Sequence, residues 1–321
     1  KHKRSNREKL MSWKKDPRTK IQIDCPTDFI NIKDDLLFDL GLEESIYPEI
    51  LITNPGSDFK YDKSSLNNEW CKDLKIVATP STGNTHIDLD YLKKRGIQFY
   101  SLLDDRKSLD KITASSEFTW LHIMNAMRKF RQATNNTKHW REKNNEENLR
   151  TQQLYGKTIG IIGYGRIGKN VSKYAETFGM NYKFYDPNVL RGKNKVSDIE
   201  SLKDVDIVSI NCGLNESSKN LITYDTFKNF KKGLVVINTS RGEVVDERYI
   251  SLLIKSREIY YSADVIVDEQ NENTPFHSEL FQLYQSGKYE NLTLTPHVAG
   301  VTTDSQEIAF RSILELCMKS L

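Results

Sequence analysis

The stretch GIIGYGRIG, residues 160–168, constrains this chain more than any other. Its glycines Gly163, Gly165 and Gly168 stand two and three residues apart, behind the apolar run KTIGIIG, which reads as a buried strand. After them Ile167, Val171, Tyr174, Ala175 and Phe178 recur at i, i+4, i+7, i+8 and i+11. That spacing predicts an amphipathic helix, closed by Gly179. Strand, glycine turn and helix in this order are what a dinucleotide-binding βαβ unit requires. The first glycine allows a tight turn, the second lets the backbone approach a pyrophosphate, and the third permits close helix–strand packing. The helix N-terminus then offers N–H groups and the positive end of its dipole to the anion. The next strand, NYKFYDP, leads into Asp186, placed to accept hydrogen bonds from ribose hydroxyls and to repel a 2′-phosphate. NAD is therefore the expected cofactor, in preference to NADP.

The same alternation runs through the chain. At 321 residues it suits two domains better than one core. In the first part EILIT and LKIVATP read as buried parallel strands, DLDYLKKRG as a helix closed by Gly96, and IQFYSL as a further strand. SEFTWLHIMNAMRKFRQA predicts one long helix over 116–133, at a junction between domains or subunits, because Phe118, Leu121, Ile123 and Met127 leave little room for a solvated face. The asparagine-rich TNNTKHWREKNNEENLRTQQL reads as a surface connection. Beyond it DIVSINC, LVVINTS, YSADVIV and LTLTPHV are expected as strands, most of them separated by helical stretches. Some 140 residues of such alternation imply a doubly wound parallel sheet of the Rossmann type. Ligands of such sheets bind outside the carboxyl ends of the strands. Three strand ends there carry reactive side chains: Arg241 in INTSRGEVVD, Asp264 and Glu269 in ADVIVDE, and His297 in LTPHVAG.

On KIVATPSTGNTHIDLDYLKKRGI, GKTIGIIGYGRIG, VVINTSRGEVVDE, ADVIVDE and LTPHVAG, in that order over about residues 74–315, the chain resembles the D-isomer-specific 2-hydroxyacid dehydrogenases. The resemblance implies catalytic roles for Arg241, Glu269 and His297, a substrate-carboxylate loop at Ser81, Thr82 and Gly83, and a nicotinamide contact at Asp264. Candidate cofactor-binding positions are Gly163, Gly165, Arg166, Ile167, Gly168, Asp186, Thr239 and Asp264. The family's domain order implies a nucleotide domain at 113–298, set within a smaller flavodoxin-like α/β substrate domain at 1–112 and 299–321. It also implies a homodimer, with the helix 116–133 as the contact. The last helix, DSQEIAFRSILELCMKSL, is then expected on the first domain.

The implied roles are chemically coherent. Oxidising a 2-hydroxy acid removes a proton from oxygen and a hydride from carbon. His297 is the side-chain type for a base poised near neutrality. Glu269 can accept its other ring N–H and raise its pKa. Arg241 can pair with the substrate carboxylate and polarise the keto oxygen. His2, His86, His122, His139 and His277 lack such company and are read as structural or surface residues. Tyr224 and Lys228 form the Y-x-x-x-K of short-chain reductases, but the glycine spacing of those enzymes near the chain start is absent, so the pair reads as chance.

Two stretches depart from the family. INCGLN places Asn211, Cys212 and Gly213 where family members carry a residue followed by proline, at an edge near the cofactor. ITNPGSDFKYDKSSL holds no arginine where phosphoglycerate dehydrogenases carry them, which counts against that substrate. QNENTPFHSELFQLYQSGKYEN, between Glu269 and His297, is expected as a surface loop and short helix. The expected partner is a small 2-hydroxy or 2-keto acid. Rival readings are a family member acting on formate or phosphite, and an NAD(H)-sensing binding protein like the family's corepressors.

Composition bounds these readings. A formal net charge of +3 does not call for nucleic acid, and no run of 18 apolar residues is present to span a membrane. The basic leader KHKRSNREKLMSWKKDPRTK has no apolar secretory segment and is expected as a solvated tail or edge helix. Cys25, Cys71, Cys212 and Cys317 show neither metal nor disulfide spacing. No metal is expected, and a cytoplasmic setting is.

Overall fold

The computed structural model describes residues 21–23 (backbone), 48–53, 55, 60–68, 71–269 and 277–320. The basic leader, His2 and Cys25 lie outside the described residues, as do 270–276 of the expected loop and part of ITNPGSDFKYDKSSL. The chain forms two compact units, Lys1–Ile112 with Thr302–Leu321, and Thr113–Val301. No helix among the described residues is long and apolar enough to cross a membrane.

The first unit is a four-stranded parallel sheet. Its strands β1 (Ile21–Ile23), β2 (Ile50–Ile52), β3 (Ile76–Thr79) and β4 (Gln98–Ser101) lie in chain order. The strand-order reversal of a flavodoxin-like sheet is not among the described strands. β2 and β3 are buried along their whole length, which is why they read as unbroken apolar runs. Helix α1 (Leu89–Lys94) starts where the Asp88 carboxylate accepts the Tyr91 N–H, and Gly96 closes it at φ +70°. Leu92 of α1 packs with Tyr61, Leu66 and Val77. The C-terminal helix Thr303–Lys319 sets Ile313, Leu314 and Cys317 against Ile50, Ile52, Ile76 and Ala78. A fully buried isoleucine such as Ile313 contributes about 1.5–3 kcal/mol, so this helix is held firmly to its sheet.

The second unit is a six-stranded parallel sheet of β5 (Thr158–Ile162), β6 (Asn181–Tyr185), β7 (Ile207–Ile210), β8 (Leu234–Asn238), β9 (Ile259–Ala263) and β10 (Leu292–Leu294). Its order is β10-β9-β8-β7-β5-β6. A single parallel bridge from Phe184 to Lys195 stands beyond β6, where a doubly wound sheet has its third strand. The order reverses at β5, between β6 and β7, and GIIGYGRIG begins within that strand. Helices α2 (Ala114–Arg128), α3 (Arg166–Thr177) and α4 (Glu247–Lys255) flank the sheet. One apolar cluster joins Ile161, Val171, Ala175 and Ile237; another joins Val208, Val236, Ile250, Ile254 and Leu280.

Two expectations are corrected. The helix 116–133 is two helices, because Lys129 turns left-handed at φ 48° and Phe130–Asn135 starts anew. Its buried face is partly polar, with Ser116, Thr119 and His122 inside, while Leu121 is exposed. The strand in YSADVIV begins at Ile259 and ends at Ala263, so Val265 is buried without being sheet. The polar connection lies on the surface as expected: its turn of helix at Thr137–His139 and its helix at Lys143–Leu149 hold no buried residue.

Candidate active site

The six strands end in one row. Ile162 is in register with Tyr185 and Ile210, Ile210 with Asn238, Asn238 with Ala263, and Ala263 with Leu294. Gly163, Asp186, Asn211, Thr239, Arg241, Asp264, Thr295 and His297 all follow that row by one to three residues. Chain-distant candidates within this unit are thus brought to one sheet edge.

At the switch point the glycine turn closes as its spacing requires. Gly163 has φ +88°, and a Cβ there would lie 2.7 Å from the Cys212 nitrogen. A Cβ on Gly168 would lie 2.2 Å from the Gly163 carbonyl oxygen. Gly165 differs: it is the N-cap of α3 with φ −78°, and a Cβ there would meet no protein atom within 4 Å. The fold itself therefore does not require glycine at 165. No side chain caps α3 either. Bare backbone at an uncapped helix N-terminus suits a pyrophosphate, so the residues present fit a dinucleotide. Asp186 Oδ2 accepts the Tyr164 N–H at 2.8 Å and Oδ1 accepts that of Asn188 at 2.8 Å, which fixes the carboxylate beside the turn. Burial pushes the Cys212 thiol up to about 11, so it stays protonated at neutral pH. Thr239 is buried, and its hydroxyl pairs with that of Thr119 at 2.6 Å.

At the other end of the row His297 Nδ1 lies 2.5 Å from Glu269 Oε1. His297 is held at φ 50° and Asp268, just before Glu269, at φ 57°. Both partners are thus aimed by left-handed backbone, a conformation uncommon outside glycine that gathers at functional sites. The His297 N–H donates to the Asp264 carbonyl at 2.8 Å, and the Asp264 N–H to the Asn238 carbonyl at 3.0 Å. Asn238 Nδ2 in turn donates to the Arg241 carbonyl at 3.0 Å. The Glu269 hydrogen bond raises the His297 pKa above its ordinary value; burial and the Arg241 charge oppose it, while the charges of Glu269 and Asp264 add to it. The Asp264 carboxylate is buried and accepts from the Thr295 hydroxyl and from the Val298 and Ala299 N–H groups.

In the first unit Ser81, Thr82 and Gly83 form the turn after β3. Ser81 Oγ donates to the Gly83 carbonyl at 2.6 Å, and the Ser81 carbonyl accepts the Leu102 N–H at 3.0 Å. His86 is buried beside the Thr53 hydroxyl at 3.1 Å, a structural histidine as expected. Tyr224 is exposed and Lys228 pairs with Asp225, so the Y-x-x-x-K pair is surface.

Two further features were not legible in sequence. A Cβ on Gly242 would lie 2.1 Å from the Ile266 carbonyl and 2.4 Å from the Val267 nitrogen, so the arginine loop touches the segment leading to Glu269. Two carboxylates of that same stretch clamp it. Glu243 accepts the Asp268 N–H at 3.1 Å, and Glu247 accepts those of Val267 at 3.3 Å and Leu280 at 3.2 Å and the Ser278 hydroxyl at 2.8 Å. Gly242→Ala should therefore part Arg241 from Glu269. Turnover is expected to fall about 100-fold, the usual effect of ångström-scale misplacement, with about 1–3 kcal/mol lost from overpacking. Kinetics and thermal melts check this; wild-type turnover would show that the contact is dispensable.

Residues 120–299 match the family described as D-isomer specific 2-hydroxyacid dehydrogenase, NAD binding domain. The hydroxypyruvate reductase of Thermotoga maritima is 28% identical over 259 residues, which cover 78% of each chain. The D-3-phosphoglycerate dehydrogenase of Methanocaldococcus jannaschii is 28% identical over 288 residues, 87% of this chain but 51% of that longer one. The solved structure of Aquifex aeolicus D-lactate dehydrogenase, complexed with NAD and lactic acid, matches with a TM-score of 0.74. It is 23% identical, covers 92% of this chain and 93% of the other, and bears on the fold. With the glycine turn and the ordered strand ends, these matches place the chain among the D-isomer-specific 2-hydroxyacid dehydrogenases, NAD-dependent oxidoreductases of CH–OH donors.

Proposed function

We propose that this chain reduces a small, unphosphorylated 2-keto acid to the D-2-hydroxy acid, with His297 as proton donor. The observation that carries the reading is the 2.5 Å His297–Glu269 pair at the sheet edge that also bears Arg241 and Asp264. Bound NADH supplies the hydride. Glu269 favours the charged form of His297, which gives its Nε2 proton to the substrate oxygen as that oxygen gains electron density. Arg241 offers a planar, two-point grip for the substrate carboxylate and positive charge for the oxygen. The Thr82 and Gly83 N–H groups are the proposed further carboxylate donors, with Ser81 shaping their turn. Asp264 is the proposed nicotinamide contact. The arginine-free ITNPGSDFKYDKSSL favours an unphosphorylated substrate.

The test is a panel of 2-keto acids with NADH, read by loss of absorbance. It should contain hydroxypyruvate, glyoxylate, pyruvate, a branched member and a phosphorylated one. Turnover of an unphosphorylated member is expected. Tight NADH binding without turnover of any member would favour the sensing reading. A homodimer is also proposed, supported by the exposed Leu121 and Phe130 on the helices at 114–135, and a cytoplasmic setting by the unpaired cysteine spacing. Sedimentation of the purified chain as a monomer would reject the dimer.

The pH dependence carries a second expectation. Reduction needs charged His297, so activity is present below its pKa and lost as pH rises through it. That pKa lies above the ordinary histidine value, chiefly through Glu269. Glu269→Gln keeps the shape and removes the charge, so the high-pH fall in activity should move to lower pH. An unmoved profile would remove the glutamate from the mechanism.

A further inference from the structure

Sequence alone makes His122 a structural or surface residue, yet its partners lead to the site. It is buried on α2, with Nδ1 2.7 Å from Ser262 Oγ and Nε2 3.1 Å from Thr295 Oγ1. The Thr295 hydroxyl donates to Asp264 Oδ1. A hydroxyl has one hydrogen, and a carboxylate can only accept. With that hydrogen on Asp264, Thr295 Oγ1 can meet the imidazole only as an acceptor, so Nε2 carries the ring hydrogen. Burial lowers the His122 pKa, against the pull of Asp264, and keeps the ring neutral. Nδ1 is then bare and accepts the Ser262 hydroxyl. The direction of the chain is fixed: Ser262 to His122, His122 to Thr295, Thr295 to Asp264. The Ala299 N–H holds the other carboxylate oxygen at 2.7 Å, so both Asp264 oxygens are tied.

We propose that His122 is a positioning residue, whose Nε2–H orients the Thr295 hydroxyl and through it the Asp264 carboxylate that faces the nicotinamide end of the cofactor. The role at the cofactor rests on the functional reading above; the direction of the chain does not. The hydrogen bonds span 140 and 173 residues of sequence, joining α2 to the ends of β9 and β10.

The experiment is nitrogen NMR of the imidazoles in the ligand-free protein, paired with NADH titrations. Wild type should show His122 as the neutral Nε2–H tautomer. Thr295→Ser should keep it, and Thr295→Val, which removes the acceptor, should shift the ring toward Nδ1–H. His122→Leu should weaken NADH binding about tenfold, and His122→Gln, which can still donate to Thr295, should recover most of it. An Nδ1–H tautomer in wild type overturns the proposed direction. The expected tautomer with equal NADH affinity in His122→Leu, His122→Gln and wild type overturns the positioning role. Should His122→Leu fail to fold, His122→Phe, which keeps a ring and removes the donor, takes its place beside His122→Gln in the comparison of affinity. Absence of NADH binding by wild type would sink the functional reading and the positioning role together, and the tautomer, read without ligand, would still decide the direction of the chain.

Discussion

Replacing His297 by alanine should lower turnover of the best 2-keto acid by about 100- to 10,000-fold, the usual contribution of a general acid–base. NADH affinity should change little, because the glycine turn and Asp186 stand at the other end of the strand row. The position demands care, since His297 is held at φ 50°. Alanine adopts that region poorly, at a cost of roughly 1–2 kcal/mol. Asparagine adopts it more readily, so His297→Asn is the fitting companion: it keeps the turn and cannot supply the proton. Both variants should lose turnover alike if the proton is what matters. A normal rate in either, with NADH still bound, would remove His297 from the chemistry.

The second large effect is cofactor choice: NADH should bind roughly a thousandfold better than NADPH. Two like charges about 4 Å apart near a protein surface repel by about 4 kcal/mol, which is close to three decades in affinity. Asp186 cannot swing aside to relieve this, since each of its oxygens accepts a backbone N–H at 2.8 Å. Those same bonds tie the carboxylate to Tyr164 inside the glycine turn. Asp186→Ala should narrow the gap and loosen the turn, while Asp186→Asn should narrow it with one acceptor retained. Protein fluorescence titrations with the two cofactors measure this directly. Comparable affinities in wild type would mean that Asp186 does not face the 2′ position.

Most of this site was legible because it is written locally. Gly163, Gly165 and Gly168 are set by one turn, and Arg241, Asp264 and His297 each follow an apolar run that predicts a strand end. Local signals also misled. The apolar run in YSADVIV continues through Val265 and Ile266, although the sheet stops at Ala263, because burial and strand are different things. Nothing in the side chain of Lys129 announces left-handed backbone, so the break in the helix 116–133 was invisible. The contact of Gly242 with Ile266, the Glu247 clamp on Ser278 and the His122 pairings join residues 24 to 173 positions apart. Such contacts leave no periodicity in a single sequence. A buried histidine on a helix face looks the same there whether it fills a core or links a chain of hydrogen bonds.

The central claim is hydride transfer between NADH and the carbonyl carbon of a 2-keto acid, giving the D product. It is tested most directly by running the best keto acid of the panel with NADH deuterated at the transferable position and resolving the product on a chiral column. The deuterium is expected on carbon 2 of the D-2-hydroxy acid. An L product, or a reduced product without deuterium at that carbon, would contradict it.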